Sequence, residues 1–282
     1  MMEGNPKKSK SELFFAGHLE EKDDLKQFKR DAPVEMNDEN LNNLSQIVDA
    51  LERKIEMEKS RALFLITSSK LRSIQTAELI AQKLKLKLGD SFKIRFSIDT
   101  KLDAPDQGDF TLPEDYNPGD FFEGLKTASK VFLNESLGEK GNLHYKFGDP
   151  VLLGDGGYKY PELSKYFIQT GESYGEALSR VLRSVISASE KFDKFKGSIE
   201  VSVIAHGFTF HILRGLSFLA KQIKDDNFSI KQGELAIKLW EIYQQNPLSL
   251  KTTPFSNIDF SELGNPYLIK TLKDEVNFLN KK

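Results

Sequence analysis

Cysteine is absent from the 282-residue sequence, and tryptophan occurs only once. Without cysteine the chain cannot form disulfides, use a thiolate as a nucleophile, or hold zinc or an iron–sulfur cluster through sulfur ligands. The absence is compatible with a reducing compartment, and we predict a cytoplasmic location. Thiol chemistry and sulfur-held cofactors are thus excluded from the possible functions.

Neither sign of charge is in excess, because 40 lysines and arginines face 42 aspartates and glutamates. The net charge of -2 provides no general attraction to nucleic acids or to anionic membranes. We therefore predict neither nucleic acid nor a membrane as a partner. An anionic ligand would have to be held by a local pocket.

Long uninterrupted apolar runs are also missing. The longest apolar stretch, residues 201–220, contains two glycines as well as His206, His211 and Arg214, and it reads as a buried strand, a turn and a helix. The first ten residues lack the apolar core of a signal peptide. We predict a disordered tail over residues 1–10 and a single domain over residues 11–282.

Three apolar segments have the length of strands that are buried on both faces: residues 11–16, 62–67 and 198–205. An amphipathic segment that follows Asn37 lies between the first two, and a second one begins near Leu71. Alternating strands and helices predict an α/β fold with a mainly parallel sheet. Ligands of such sheets bind beyond the carboxyl ends of the strands.

The second half of the chain is less regular. Residues 99–170 are rich in proline, glycine and acids, and we predict an insertion at about residues 109–169. A helix that follows Glu172 and Ser173 comes next, with Arg180 predicted to brace the structure. ELAIKLWEIYQ, from residue 234, alternates in the manner of a late edge strand. Asn265 is expected to cap a last helix.

Two histidines stand at carboxyl ends of predicted strands, His18 after the first and His206 after the third. Arg72 falls at the start of the helix that follows the second strand, where free backbone N–H groups attract anions. His206 and His211 are five residues apart, a spacing that does not stack two ligands on one helix face. We predict neither a metal nor another cofactor, and no role for His144.

The order of these segments resembles the histidine phosphatase superfamily, which has the phosphoglycerate mutase-like fold. The likeness extends from Ser11 to about Tyr243, and its most specific parts are SSKLRSIQTA, from residue 68, and AHG, from residue 205. The resemblance implies a three-layer α/β/α sandwich with a mainly parallel central sheet.

The resemblance also implies a chemistry. A histidine attacks phosphorus in line and becomes a phosphohistidine, which water then hydrolyses, while arginine and a second histidine hold the phosphoryl oxygens. In this sequence His18 would be the nucleophile, Arg72 and His206 would bind the phosphate, and Gly17 would also belong to the phosphate site. The ligand would be phosphate or a small phosphomonoester.

Two departures from the family pattern weaken this expectation. Gly17 and Leu19 flank the histidine where most of the family has Arg-His-Gly, and Ala104 stands where the family has a glutamate that protonates the leaving group. Losing such an arginine costs on the order of 2 to 4 kcal/mol of transition-state stabilisation, and general acid catalysis contributes about 10² to 10⁴ in rate. The replacement cations that we consider are Lys22, Arg30 and Lys70, and the replacement acids are Asp106 and Asp103.

Two functions therefore remain open. The chain is either a weak phosphomonoesterase or a catalytically inactive pseudophosphatase that serves as a binding or regulatory module, in which case a protein partner is expected. A nucleotide-binding module of the Rossmann type has no support, because no G-x-G-x-x-G motif follows the first strand.

Overall fold

Apolar strands and amphipathic helices alternate in the computed structural model of the chain. The structure describes residues 12–20, 33–110, 130, 132–134, 136–137, 142–149, 167–192, 199–223, 230–245, 254–259 and 264–281. The strands are β1 Glu12–Gly17, β2 Ala62–Thr67, β3 Lys93–Ile98, β4 Asp109–Phe110, β5 Phe167–Gln169, β6 Ile199–Ala205 and β7 Phe255–Asp259. The α-helices are α1 Asp38–Glu58, α2 Leu71–Leu88, α3 Tyr174–Phe192, α4 Gly207–Ala220, α5 Glu234–Gln245 and α6 Pro266–Leu279, with a 3₁₀ turn over Thr100–Leu102. The predicted tail over residues 1–10 lies outside the described residues.

The main sheet has five strands in the order β3-β2-β6-β1-β7. The first four are parallel to one another, whereas β7 runs antiparallel to β1, so the sheet is mixed. Gly17 of β1 lies beside Ala205 of β6, and Thr67 of β2 lies beside Ile204. The carboxyl ends of three neighbouring strands therefore reach the same edge at the same level.

Helices pack on both faces of this sheet. Phe14 and Ala16 point to the face covered by α1 and α2, whereas Leu13 and Phe15 point to the face covered by α3, α4, α5 and α6. This alternation follows from the period of two along a strand. The α/β class and its sandwich arrangement are confirmed. The prediction that all three apolar strands are buried on both faces is wrong for β2, in which every second residue is only partly buried.

The prediction of a late strand from residue 234 is wrong, because these residues form α5. Leu235, Ala236 and Leu239 are its buried residues, and their spacing is helical. Gly233, with φ of 86°, precedes the helix. The late edge strand is β7 instead.

The segment predicted as an insertion leaves and rejoins the fold through a small ribbon. Asp109 of β4 pairs with Gln169 of β5. Just outside this pair the two backbone stretches pass very close to each other. A Cβ atom on Gly108 would lie 2.2 Å from the carbonyl oxygen of Gln169, and a Cβ atom on Gly171 would lie 2.1 Å from the carbonyl oxygen of Asp106. Only glycine allows backbones to approach in this way. The described apolar residues of the segment that join the main core are Phe132, Leu137, Leu143 and Phe147.

The start of α3 is a capping box. The Ser173 hydroxyl accepts a hydrogen bond from the Glu176 N–H at 3.1 Å, and the Glu176 carboxylate accepts one from the Ser173 N–H at 2.9 Å. We expect Ser173→Ala to lower the free energy of unfolding by about 1 kcal/mol, measured by urea denaturation. Ser189→Ala, near the other end of α3, is the matched control, and an equal loss in both variants would contradict a capping role.

Candidate functional site

Three polar side chains lie at the carboxyl ends of three neighbouring parallel strands. His18 follows β1, Ser68 follows β2 and His206 follows β6. The N–H of His18 donates to the carbonyl of Ala205 at 3.2 Å, and the N–H of Ser68 donates to that of Ile204 at 3.2 Å. The His18 and His206 rings face each other with centroids 4.8 Å apart and planes inclined by 58°. The two histidines predicted from the sequence are thus brought together.

His18 presents a neutral imidazole. Its Nδ1 lies 2.8 Å from the carbonyl oxygen of Leu19, and because a carbonyl can only accept, Nδ1 carries the proton and donates. Burial, followed by the charge of Arg72, lowers the pKa of His18 from 6.5 to about 4. Near neutral pH its Nε2 therefore keeps the lone pair that a nucleophile needs.

His206 is 3% exposed and is also neutral. Its Nε2 makes a hydrogen bond of 3.0 Å with Oγ of Ser68, while its Nδ1 is buried and has no hydrogen-bond partner in the described part of the chain. Burial, then electrostatic interaction with His18 and with the cations Arg72, Lys70 and Arg180, lowers the pKa of His206 to about 2. An anion placed near His206 would meet the positive charges of Arg72 and Lys70, while the charge of Arg180 is paired with that of Glu172.

Arg72 occupies the first turn of α2 at the same edge of the sheet. Its charge lowers the pKa of both histidines, so the guanidinium acts electrostatically on both rings. Thr76 anchors this turn, since its hydroxyl donates to the Arg72 carbonyl at 2.7 Å and accepts from the Leu19 N–H at 3.0 Å. Gln75 Oε1 accepts from the Val34 N–H at 2.8 Å. Thr76 thus holds the helix start against the residue after His18, and Gln75 holds it against Val34.

Arg180 braces the segment that follows β3, as the sequence predicts. Its Nε and Nη2 bind the two carboxylate oxygens of Glu172 at 3.0 and 2.8 Å. Its Nη1 and Nη2 donate to backbone carbonyls, those of Thr100, Lys101, Asp103 and Ala104. This bidentate, multiply bonded guanidinium fixes the backbone beside the site.

The candidate acids are engaged in contacts of their own. Asp103 accepts from the N–H and from the hydroxyl of Ser69, both at 2.6 Å. Asp106 is exposed, and its Oδ1 accepts from the Gly108 N–H at 3.0 Å. The structure therefore gives Asp103 a role in fixing the loop after β2 and places Asp106 in a local turn. The methyl side chain of Ala104 lies between them in the chain and can neither donate nor accept a proton.

Of the remaining predicted ligands, the structure describes Gly17 and Lys70 but not Lys22 and Arg30. Gly17 is the buried last residue of β1, and its N–H donates to the Pro254 carbonyl at 3.0 Å. Lys22 and Arg30 lie outside the described residues. Lys70 immediately precedes α2, and its charge acts on His206. Of the replacement cations, Lys70 is thus the one whose charge acts on the site in the described part of the chain.

Sequence reasoning missed two contacts of the site, Ser68 with His206 and Asp103 with Ser69. Each joins residues far apart in the chain, and the sequence signal for them was limited to the position of the two serines directly after an apolar strand. Among the described residues, no group of three or more histidine and acidic side chains could hold a metal ion. Nor is any described helix both long and apolar enough to cross a bilayer.

Comparison with known proteins adds no family to this geometry. The sequence matches no protein-family model. No curated protein matches it either.

Proposed function

We propose that this chain binds phosphate or a small phosphomonoester between His18, His206 and Arg72, and hydrolyses the ester slowly through a phosphohistidine at His18. In this proposal the chain is a degenerate relative of the histidine phosphatases with a phosphoglycerate mutase-like fold. The observation that carries it is the histidine pair at the carboxyl edge of the sheet, with the lone pair of His18, an Nδ1 of His206 that has no hydrogen-bond partner among the described residues, and the charge of Arg72 acting on both rings.

The electrostatics of the site favour a multiply charged anion. Arg72 and Lys70 are cations that act on His206, and Arg180 acts on it as well, although the charge of Arg180 is paired with that of Glu172. The helices α2 and α4 both begin at this edge, so the positive ends of their dipoles add to the field. Both histidines are neutral near pH 7, so the positive charge that attracts the anion comes from these side chains and helix ends.

The proposed reaction has two steps. The Nε2 lone pair of His18 forms a bond to phosphorus while the ester P–O bond breaks, and the leaving oxygen takes the electron pair and then a proton from water. In the second step a water molecule attacks phosphorus, the P–N bond breaks, the pair returns to Nε2, and inorganic phosphate leaves. The cations stabilise the charge on the transferring phosphoryl oxygens in both steps.

A slow reaction is expected because two contributions are missing. Gly17 provides no guanidinium to the phosphoryl group, and Ala104 provides no acid for the leaving oxygen. The loss of the guanidinium costs roughly two or three decades in rate, and the loss of the acid roughly two to four. Esters with acidic leaving groups, such as aryl phosphates, should be the best substrates.

The alternative function, a catalytically inactive module that binds an anion and a protein partner, is favoured by one observation. Both carboxylate oxygens of Asp103 already accept hydrogen bonds from Ser69, so this candidate acid is committed to the loop. Both functions require the anion site, and they differ only in turnover.

Both functions require that the protein binds an anion, which is tested by calorimetric titration with orthovanadate and with inorganic phosphate. We expect binding to the wild-type protein and at least about tenfold weaker binding to Arg72→Ala, because a charge-assisted contact contributes about 1.5 to 3 kcal/mol. Arg53→Ala, which removes an exposed arginine of α1, is the matched control and should bind as the wild type does. If the wild-type protein bound neither anion, the proposal would be wrong.

A further inference from the structure

The Ser68 hydroxyl is completely buried beside His206. The residue is 0% exposed, and its Oγ lies 3.0 Å from Nε2 of the histidine. In the described part of the chain this nitrogen is the only hydrogen-bond partner of the hydroxyl. Neither group can therefore exchange the contact for water.

The direction of this hydrogen bond follows from what each atom can do. A hydroxyl has one proton to donate, and leaving it without an acceptor in a buried position is costly. Because Nε2 is the acceptor within reach, the Ser68 hydroxyl donates and Nε2 accepts with its lone pair. A neutral imidazole that accepts at Nε2 carries its single proton on Nδ1.

The proton on Nδ1 then points to a ligand. Nδ1 of His206 is buried without a partner among the described residues, and the facing ring is that of His18, whose own Nδ1 is bonded to Leu19. A neutral N–H donor that lacks an acceptor at this edge suits a phosphoryl oxygen. A histidine in the opposite tautomer would present a lone pair and repel that oxygen.

The loop that holds Ser68 is fixed on both sides. The Ser68 N–H donates to the Ile204 carbonyl on β6, two residues before His206. The next residue, Ser69, is bonded through its N–H and its hydroxyl to Asp103. The hydroxyl of Ser68 therefore meets His206 from a backbone with little freedom to move.

We propose that Ser68 is a positioning residue that holds His206 in the Nδ1–H tautomer, so that Nδ1–H donates to an oxygen of the phosphoryl group bound at His18 and Arg72. This inference rests on the proposed function for the ligand, but the tautomer itself is a property of the unliganded protein. Ser68 does not touch the reacting atoms, and its effect passes through His206.

The test compares Ser68→Ala with Ser73→Ala. Ser73 is the matched control, because it is also 0% exposed, lies five residues further along, and has a buried Oγ with no partner in the described part of the chain. The first readout is the ¹⁵N spectrum of histidine-labelled protein without ligand near neutral pH, with the His206 signals assigned by their loss in His206→Asn. The second readout is calorimetric titration with orthovanadate.

We expect a protonated Nδ1 and an unprotonated Nε2 for His206 in the wild type and in Ser73→Ala, and a mixture of tautomers in Ser68→Ala. Vanadate should bind about tenfold more weakly to Ser68→Ala, with no change in Ser73→Ala. A protonated Nε2 in the wild type, or a tautomer unchanged by Ser68→Ala, would overturn the inference. If the tautomer behaved as expected while no anion bound to the wild type, the positioning of His206 would stand and the phosphoryl ligand would be refuted.

Discussion

Replacing His18 with alanine is expected to reduce the hydrolysis of an aryl phosphate to the rate measured in buffer alone. We expect the rate to fall by at least about a hundredfold, because the substitution removes the nucleophile. His206 cannot substitute as the nucleophile, because its Nε2 is bonded to Ser68. The measurement is aryl alcohol release at high protein concentration, accompanied by quenching of reactions with phosphate-labelled substrate in alkaline detergent, which preserves a phosphohistidine for a later test of its lability in acid. The wild type should yield a phosphoprotein that is labile in acid, and His18→Ala should yield none.

His144→Ala is the matched control for this substitution, since His144 is exposed and belongs to the segment between β4 and β5. It should hydrolyse the substrate at the wild-type rate. Equal rates in the wild type and in His18→Ala would show that the activity does not arise at this site. A wild-type protein that binds vanadate and releases no product would instead favour the inactive binding module.

Replacing Glu200 with glutamine is expected to raise the free energy of unfolding by a few kcal/mol at pH 9 and to leave it nearly unchanged at pH 4. Glu200 is 2% exposed at the start of β6, where it faces Lys54 and Glu58 of α1 and Glu12 of β1. Lys54 Nζ lies 2.8 Å from Glu58 but 3.8 Å from Glu200, so the buried carboxyl is weakly compensated.

The sign of this pH dependence follows from the difference in proton binding between the folded and the unfolded protein. Burial raises the pKa of Glu200 from 4.5 to about 8, with Lys54 opposing the shift and Glu58 and Glu12 adding to it. Between these two values the folded protein holds a proton that the unfolded chain has lost, so this group makes stability fall as pH rises. Each pKa unit is worth about 1.4 kcal/mol, and the contribution present below pH 4.5 is lost by about pH 8.

Urea denaturation of the wild type and Glu200→Gln at pH 4, 7 and 9 measures this difference directly. The two histidines of the site titrate with the opposite sign, because their folded pKa values are lowered, but they are common to both proteins and cancel in the comparison. Glu56→Gln, an exposed position on α1, provides the control. A difference between wild type and Glu200→Gln that does not grow with pH would disprove the explanation.

Much of the sheet could be predicted because its strands are short apolar runs flanked by helices with a regular apolar period. Residues 62–67 are predicted and found as β2, and the stretch over residues 201–220 forms most of β6, the turn at His206 and α4. The sequence of α5 satisfies two periods at once. Leu235, Ile237 and Leu239 alternate as in a strand, while Leu235, Ala236 and Leu239 follow a helix, and tertiary packing against α4 decides between them.

The edge strands escaped prediction for a related reason. All six residues of β3 are exposed or only partly buried, and β7 includes the polar residues Ser256 and Asn257. KIRFSI of β3 alternates polar and apolar residues and so carries a strand signal that sequence reasoning missed, whereas FSNID of β7 has no clear apolar pattern. Their place in the sheet depends on pairing with β2 and β1, which local sequence does not encode.

At the site, residue types and their order predict which groups meet, but not how each is held. His18, Arg72 and His206 follow from strand ends and a helix start. The contact of Ser68 with His206 spans 138 residues, and the carboxylate of Asp103 turns out to serve Ser69. Such hydrogen bonds depend on loop geometry within a few tenths of an ångström. The periodic spacing of apolar residues in the sequence does not predict that geometry.

The position of β1 in the sheet has a consequence for biosynthesis. Phe14 pairs with Ser202 on one side and with Asn257 on the other, so the strand that ends at His18 leaves the ribosome long before either neighbour exists. Until then β1 is an apolar segment with two unpaired edges. Such a segment is prone to aggregation, and its pairing with strands that are distant in sequence is slow. The histidine pair is therefore assembled late in synthesis, and a nascent chain that stalls before β6 holds His18 without the strand that carries its counterpart.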